Sequence, residues 1–178
     1  TDAHLEIDPD WPLEDDRAYR LDATVTSSPD TRQGGHVFVD VQPGGEAGTP
    51  RDALPCVAFE PTKRFRDHVR ALRPGDQLTV CGEVSGGTLK LEKFAVRDLV
   101  EVEDATPVCP DCERTMESAG AEQGYRCRDC GTAASGPTER PLDRELDPGW
   151  YEVPPVARRH VAKPLVRGGF DAPIHPEQ

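Results

Sequence analysis

The chain has no apolar run near the ~18 residues that span a bilayer and no charged-then-apolar leader, so a cytoplasmic location is expected. It lacks the short motifs of nucleotide and hydrolytic chemistry: no G-x-x-x-x-G-K-[ST] loop, H-E-x-x-H, G-x-S-x-G or G-x-G-x-x-G. The five histidines (His4, His36, His68, His160, His175) are scattered, and none shares a spacing motif with a cysteine. With 33 acidic residues in 178, paired carboxylates carry no catalytic information. The sequence therefore reads as a binding module. Lysine is scarce as well: only Lys63, Lys90, Lys93 and Lys163 among 21 basic residues, the others being arginine. Abundant carboxylate with little lysine suggests a salt-adapted, halophilic archaeal protein, kept solvated by its surface acids. In molar salt the Debye length is about 3 Å, so the net charge of −12 says little about partners, and local exceptions say more.

One such exception is a gap in the acidity. From Val153 through Gly169 there is no Asp or Glu, yet Arg158, Arg159, His160, Lys163 and Arg167 crowd together. A second basic cluster is Lys63, Arg64, Arg66, Arg70 and Arg73, interrupted only by Asp67. Both suit a polyanion. The alternatives are a tail docked by ion pairs and a solvated helix face.

Four of the six cysteines form two knuckles, Cys109-Pro-Asp-Cys112 and Cys127-Arg-Asp-Cys130, with fourteen residues between them. This spacing points to a tetrahedral four-thiolate zinc site, in which each short spacer lets two sulfurs reach one ion at about 2.3 Å. Four thiolates leave no open position, so the zinc is expected to be structural. Two disulfides or a redox Cys-x-x-Cys are the rivals, but a disulfide framework goes with secretion and a redox site needs one pair after a buried strand. Gly131 suits the turn after Cys130. Cys56 and Cys81 have no ligand spacing and read as buried small side chains.

Residues 1–16 read as an acidic linker or tail. Residues 17–104 carry short strands near Tyr19 to Ser27, His36 to Val41, Leu54 to Phe59, Gln77 to Val84 and Leu89 to about Val96. Between the third and fourth lies a helix with Thr62 as N-cap and an apolar stripe of Phe65, Val69 and Leu72. Three strands, a helix and a hairpin are the order of a five-stranded OB barrel, with an SH3-like barrel or incomplete sandwich as rivals. The expected fold is thus mainly β: an OB-fold barrel, then a zinc ribbon (105–133), a linker (134–149), a short basic helical tail (150–169) and a disordered end (170–178). Strand alternation puts Val37, Val39 and Val41 inside, and His36 and Phe38 on the outer face, where OB folds stack single-stranded bases. Candidate RNA contacts are therefore His36, Phe38, Lys63, Arg64, Arg66, Arg70, Arg158, Arg159, Lys163 and Arg167, with tRNA or single-stranded RNA as partner.

Three runs together resemble a known family. They are Glu60-Pro61-Thr62-Lys63-Arg64-Phe65-Arg66; the ribbon with Met116, Ser118, Gly120 and Gly124-Tyr125-Arg126-Cys127; and Tyr151-Glu152-Val153-Pro154-Pro155 followed by Ala157-Arg158-Arg159-His160-Val161-Ala162-Lys163-Pro164-Leu165. They are similar to the C-terminal half of archaeal tRNA(Ile) agmatinylcytidine synthetase, the TiaS family, over about residues 19–167. The resemblance implies an OB domain and a ribbon that bind tRNA and place its wobble cytidine, to which the family attaches agmatine with ATP. It also implies kinase-like and ferredoxin-like domains N-terminal to the barrel, in cis or in trans, which do not fit into the 18 residues before it. The chain opens on Thr1, which reads as a processed chain or the end piece of a longer one. Alone it is expected to be inactive, with ATP and agmatine used only by that catalytic region. The rival readings are a stand-alone single-strand-binding protein or scaffold, and an assembly role for the ribbon.

Overall fold

The computed structural model describes residues 5–7, 9–44, 51–159 and 162–175. The chain divides into two compact units, one of Thr1–Leu99 with Arg144–Gln178 and one of Val100–Asp143. The first unit holds strands β1 (Leu5–Ile7), β2 (Ala18–Val25), β3 (Asp30–Thr31), β4 (Val37–Pro43) and β5 (Leu54–Ala58), then helix α1 (Arg64–Arg70), β6 (Gln77–Ser85) and β7 (Thr88–Asp98). The second holds β8 (Val102–Ala105), β9 (Glu117–Ser118), β10 (Tyr125–Arg126), β11 (Ala133–Ala134) and β12 (Thr138–Pro141). The chain then returns to the first unit with β13 (Gly149–Glu152). Among the described residues no helix is long and apolar enough to cross a membrane.

Strands β2, β6, β7, β5 and β4 pair in that order, and β4 pairs back onto β2, which closes a five-stranded ring. The β5–β7 contact is parallel and the other four are antiparallel. With α1 between the third and fourth barrel strands, this is the expected OB barrel. Its inside follows from period-two alternation: Tyr19, Leu21, Ala23 and Val25 of β2, and Val37, Val39 and Val41 of β4, are all buried. Helix α1 and the turn after it close the barrel with Phe65, Val69 and Leu72, each at most 1 % exposed. Burial of this order stabilises by about 1.5–3 kcal/mol per side chain. Thr62 does not cap α1. Its hydroxyl donates to the Phe59 carbonyl at 2.7 Å and closes a 3-10 turn over Glu60–Thr62, while Lys63 takes the cap position at φ 47° without a side-chain cap bond. The β6–β7 pairing slips between Cys81 and Gly82, where a Cβ on Gly82 would lie 2.1 Å from the Lys90 carbonyl oxygen. Only glycine allows that approach.

Strands β6 and β7 are buried on both faces. Outside the barrel, Cys81 and Ala95 pack with Leu5, Ala18, Trp150, Ala162 and Leu165. Several segments thus differ from the linkers and tails the sequence presents. Leu5–Ile7 pairs parallel with β2. Within 134–149, β12 pairs with β8 and Leu146 enters the barrel core. Strand β13 pairs with β7, and Asp171 accepts the Trp150 indole N–H at 2.9 Å. The expected basic helix is replaced, among the described residues, by two 3-10 turns, Pro155–Ala157 and Leu165–Arg167; prolines precede both turns and Arg158 is extended. Tertiary bonds to β7 hold this segment: the buried Lys93 ammonium donates to the Lys163 carbonyl at 2.9 Å, and Glu92 Oε1 accepts the Arg159 backbone N–H at 2.8 Å.

An ion pair buried to 7 % and 0 % side-chain exposure joins Arg144 to Asp76. It is bidentate, at 2.6 and 2.7 Å, and Asp76 Oδ2 also accepts the Arg73 N–H at 2.7 Å while Arg144 donates to the Ala71 carbonyl at 2.9 Å. The turn Arg73 to Asp76 is therefore fastened to the start of the returning chain. Asp76→Asn should lower unfolding free energy in urea by about 3–5 kcal/mol, because it leaves the guanidinium buried without its anion; a loss under about 1 kcal/mol would show that the pair is dispensable.

Candidate metal centre and nucleic-acid interface

Both cysteine knuckles have one backbone plan. The N–H of the residue four after the first cysteine donates to that cysteine's carbonyl: Glu113 to Cys109 at 2.9 Å and Gly131 to Cys127 at 3.0 Å. The N–H of the first cysteine donates to the carbonyl five residues on: Cys109 to Arg114 and Cys127 to Thr132, both 2.8 Å. Glu113 and Gly131 both have positive φ, at 55° and 77°. The expected glycine turn after Cys130 is present, and the first knuckle makes the same turn with a residue that adopts it less readily. The Sγ atoms of Cys109, Cys112, Cys127 and Cys130 all lie within 4.8 Å of one another, with Cys109 and Cys130 3.5 Å apart. Sulfurs on a tetrahedron of about 2.3 Å radius are roughly 3.8 Å apart, so the donor set and its spacing fit a four-thiolate zinc site. The cluster runs from the buried Cys109 to the exposed Cys130, with Met116 packed against it.

The Thr132 side chain and backbone, bonding the Cys130 sulfur, pull that thiol down to about 6. The hydrogen bond shared with Cys130 pushes Cys112 up to about 12. Asp111 Oδ2, 2.7 Å from the Thr132 hydroxyl, competes with the Cys130 sulfur for its single proton. Cys56 and Cys81 stand outside the cluster, fully buried in the barrel unit, and burial pushes the Cys56 thiol up.

The ten residues expected at an RNA face are not equivalent. Phe38 lies on the outer face of β4 and His36 immediately precedes that strand, both half-buried, with the valines inside. The Phe38 ring is covered by the Arg32 guanidinium at 4.0 Å, which Asp30 holds at 3.2 Å. Lys63 and Arg64 are exposed. Arg64 lines a cavity of about 760 Å³ together with Asp67, Glu145, Asp147 and Glu152. In that cavity burial lowers the His68 imidazole, outweighing the adjacent Asp67. Arg66 is turned to internal work: it donates to the Gly35 carbonyl at 2.5 Å and to Glu60 at 3.4 Å, at 14 % side-chain exposure. Arg70 bonds Thr31 at 3.1 Å and Asp67 at 2.5 Å.

In the returning segment Arg158 is paired with Glu152, both largely buried, while Glu152 Oε2 accepts the Leu165 N–H at 3.1 Å. Arg158 therefore docks the tail. Arg159 is exposed, 3.5 Å from Glu83 and 5.4 Å over the Phe59 ring. Lys163 lies 5.3 Å over Phe170. Arg167 is exposed and makes no ion pair among the described residues. His160 lies outside the described residues. The structure thus brings His36 and Arg159 to one groove of about 520 Å³, together with Phe59, which the sequence did not single out. Phe59 could have been noticed as the residue that opens the Glu60-Pro61-Thr62-Lys63 run.

Residues 106–146 match the family model described as the TiaS C-terminal zinc ribbon domain. The whole chain is 50% identical to TiaS of Haloquadratum walsbyi, a 2-agmatinylcytidine synthetase acting on an isoleucine tRNA, and spans 46% of that protein's length. Apo TiaS, known from its crystal structure, superposes over 97% of this chain and 40% of its own, with a TM-score of 0.69 and 44% identity. TiaS crystallised in complex with an isoleucine tRNA and ATP matches over 98% of this chain and 40% of its own, with a TM-score of 0.75 and 41% identity. The chain therefore spans 46% of the Haloquadratum protein and 40% of each of these crystallised chains. The likeness to the Haloquadratum protein accords with the salt-adapted composition.

Cys127→Ser should abolish the fold of residues 107–133 and reduce bound metal to well under one ion per chain. The barrel, which has its own core, should keep its cooperative melt. Amide exchange and elemental analysis together check this. A ribbon that stays protected in the metal-free variant would mean that packing, rather than the ion, holds it, against the roughly 10–16 kcal/mol that structural zinc supplies.

Proposed function

This chain is the OB-barrel and zinc-ribbon region of the TiaS family, and we propose that it is the tRNA-binding portion of a ligase that attaches agmatine, with ATP, to the wobble cytidine of an isoleucine tRNA. The observation that carries this reading is the continuity of the match: barrel, ribbon and returning tail align together with a protein crystallised with an isoleucine tRNA and ATP. In this reading zinc on Cys109, Cys112, Cys127 and Cys130 is structural, since four thiolates leave no position for a water or a phosphoryl oxygen. The exposed Lys63, Arg64, Arg159 and Arg167 contact phosphates, and the outer face of β4 with His36 and Phe38 faces the RNA. Arg66 and Arg70 support that face through their bonds to the turn at Gly35 and to Thr31, and Arg158 docks the tail on Glu152. Activation by ATP and transfer of agmatine fall to the part of the relatives that this chain does not cover, acting in cis or in trans.

The test is direct. A transcript of the isoleucine tRNA should bind the zinc-loaded chain, and the double variant Lys63→Ala, Arg64→Ala should flatten the slope of log K against log salt by about 1.4–1.8 for two lost phosphate contacts. Incubated with ATP, agmatine and that tRNA, the chain alone should give no product, and it should give product once the remaining portion of a TiaS protein is supplied. Absence of tRNA binding would overturn the assignment, and turnover by the chain alone would make it a catalyst.

A further inference from the structure

We propose that the groove between Phe59 of the barrel and Arg159 of the returning tail seats one unpaired nucleobase, with Arg159 taking the adjoining phosphate. This rests on the tRNA-binding reading above and specifies where a base is held. The floor is apolar, with Leu91, Val153 and Ala157 beside the half-buried Phe59 ring. Val156, 88 % exposed, stands at its edge. At about 520 Å³ the groove is in the size range of small planar ligands.

The polar residues of the lining are His36, Thr62, Glu92 and Arg159; the Thr62 hydroxyl is bonded to the Phe59 carbonyl and Glu92 to the Arg159 N–H. His36 lies edge-on to Phe59, ring centroids 5.4 Å apart, and its Nδ1 accepts the Glu60 backbone N–H at 3.0 Å. That bond fixes the neutral tautomer with hydrogen on Nε2, so the ring offers a donor that suits a base carbonyl or ring nitrogen. A flat group with apolar faces, an acceptor edge and an attached anion meets all of these features. A peptide side chain would leave the guanidinium without its anion.

The choice of Phe59 over Phe38 follows from what covers each ring. At Phe38 the Arg32 guanidinium sits at 4.0 Å, in stacking contact, and is itself held by Asp30. At Phe59 the Arg159 guanidinium is 5.4 Å away, and its other tie is an ion pair of 3.5 Å to Glu83 at a partly exposed position. Exchanging that guanidinium for a base costs little, because such pairs contribute little. The Arg159 backbone is anchored through its N–H on Glu92, so only the side chain needs to turn.

The experiment uses the zinc-loaded chain with fluorescein-labelled oligouridine, and an oligonucleotide carrying one 2-aminopurine as a stacking probe. Phe59→Leu keeps the apolar volume and loses the aromatic face. It should weaken binding about tenfold at low and at molar salt and abolish 2-aminopurine quenching. Val156→Asp, an exposed substitution that places a carboxylate at the groove edge, should also weaken binding, and Arg159→Gln should reduce the salt slope by about 0.7 for one single-strand phosphate. If the wild-type chain binds but both Phe59→Leu and Val156→Asp stay within about twofold of it, the base is held elsewhere and the tRNA-binding reading stands. If the wild-type chain binds neither these probes nor a transcript of the isoleucine tRNA, both fall.

Discussion

The buried Asp76–Arg144 pair is the constraint on which the barrel unit's surface depends. A carboxylate without exposure is tolerable only when its charge is matched and its lone pairs are filled, and here the bidentate guanidinium and the Arg73 N–H do so. Because Arg144 begins the return of the chain, matching that charge also fixes where the following residues start. Leu146 then enters the core and β13 adds to β7. From there Glu92 and Lys93, buried on the outer face of β7, bond the tail's backbone. The groove that brings His36, Phe59 and Arg159 together exists only because this second layer lies on the barrel.

The ribbon rests on different physics. Its elements are two-residue strands with a core of Cys109, Met116 and Cys127, far too little apolar burial for a stable unit of that length. The two knuckles repeat one hydrogen-bond plan around the sulfurs, which aims the first cysteine of each pair toward a common point. Charge is managed separately there: Arg114 pairs with Asp129 and Arg128 with Glu117, all at exposed positions where such pairs stabilise little.

The five barrel strands and the helix were legible because each buries one face and so imposes its own period on the sequence; Val37, Val39 and Val41 alternate, and Phe65, Val69 and Leu72 follow a helical stripe. The metal site was legible because coordination chemistry fixes ligand type and spacing. The returning segment was not. A four-residue strand such as Gly149–Glu152 has no period to read, and Glu92 and Lys93 look like solvent-facing residues until a second layer covers them. Basic clusters likewise show where charge is, without showing which charges are spoken for. Arg158 and Arg159 are neighbours in sequence, yet one is consumed by Glu152 and the other stays at the surface. Phe59 was not legible as a groove residue because the arginine over its ring lies a hundred positions later in the chain.

The separation of 68 residues between Asp76 and Arg144 also has a meaning in time. A ribosome adds about 5–20 residues per second, so the barrel strands emerge seconds before the arginine that neutralises the Asp76 carboxylate. Throughout that interval the outer face of β6 and β7 lacks the cover of Trp150 and Leu165. The nascent chain is therefore at its most vulnerable between the end of the barrel and the return of the tail. The four-cysteine ribbon is the part made in that interval, so with zinc as its proposed ligand the cell's supply of that ion bears on how much of the unfinished chain is folded while it waits.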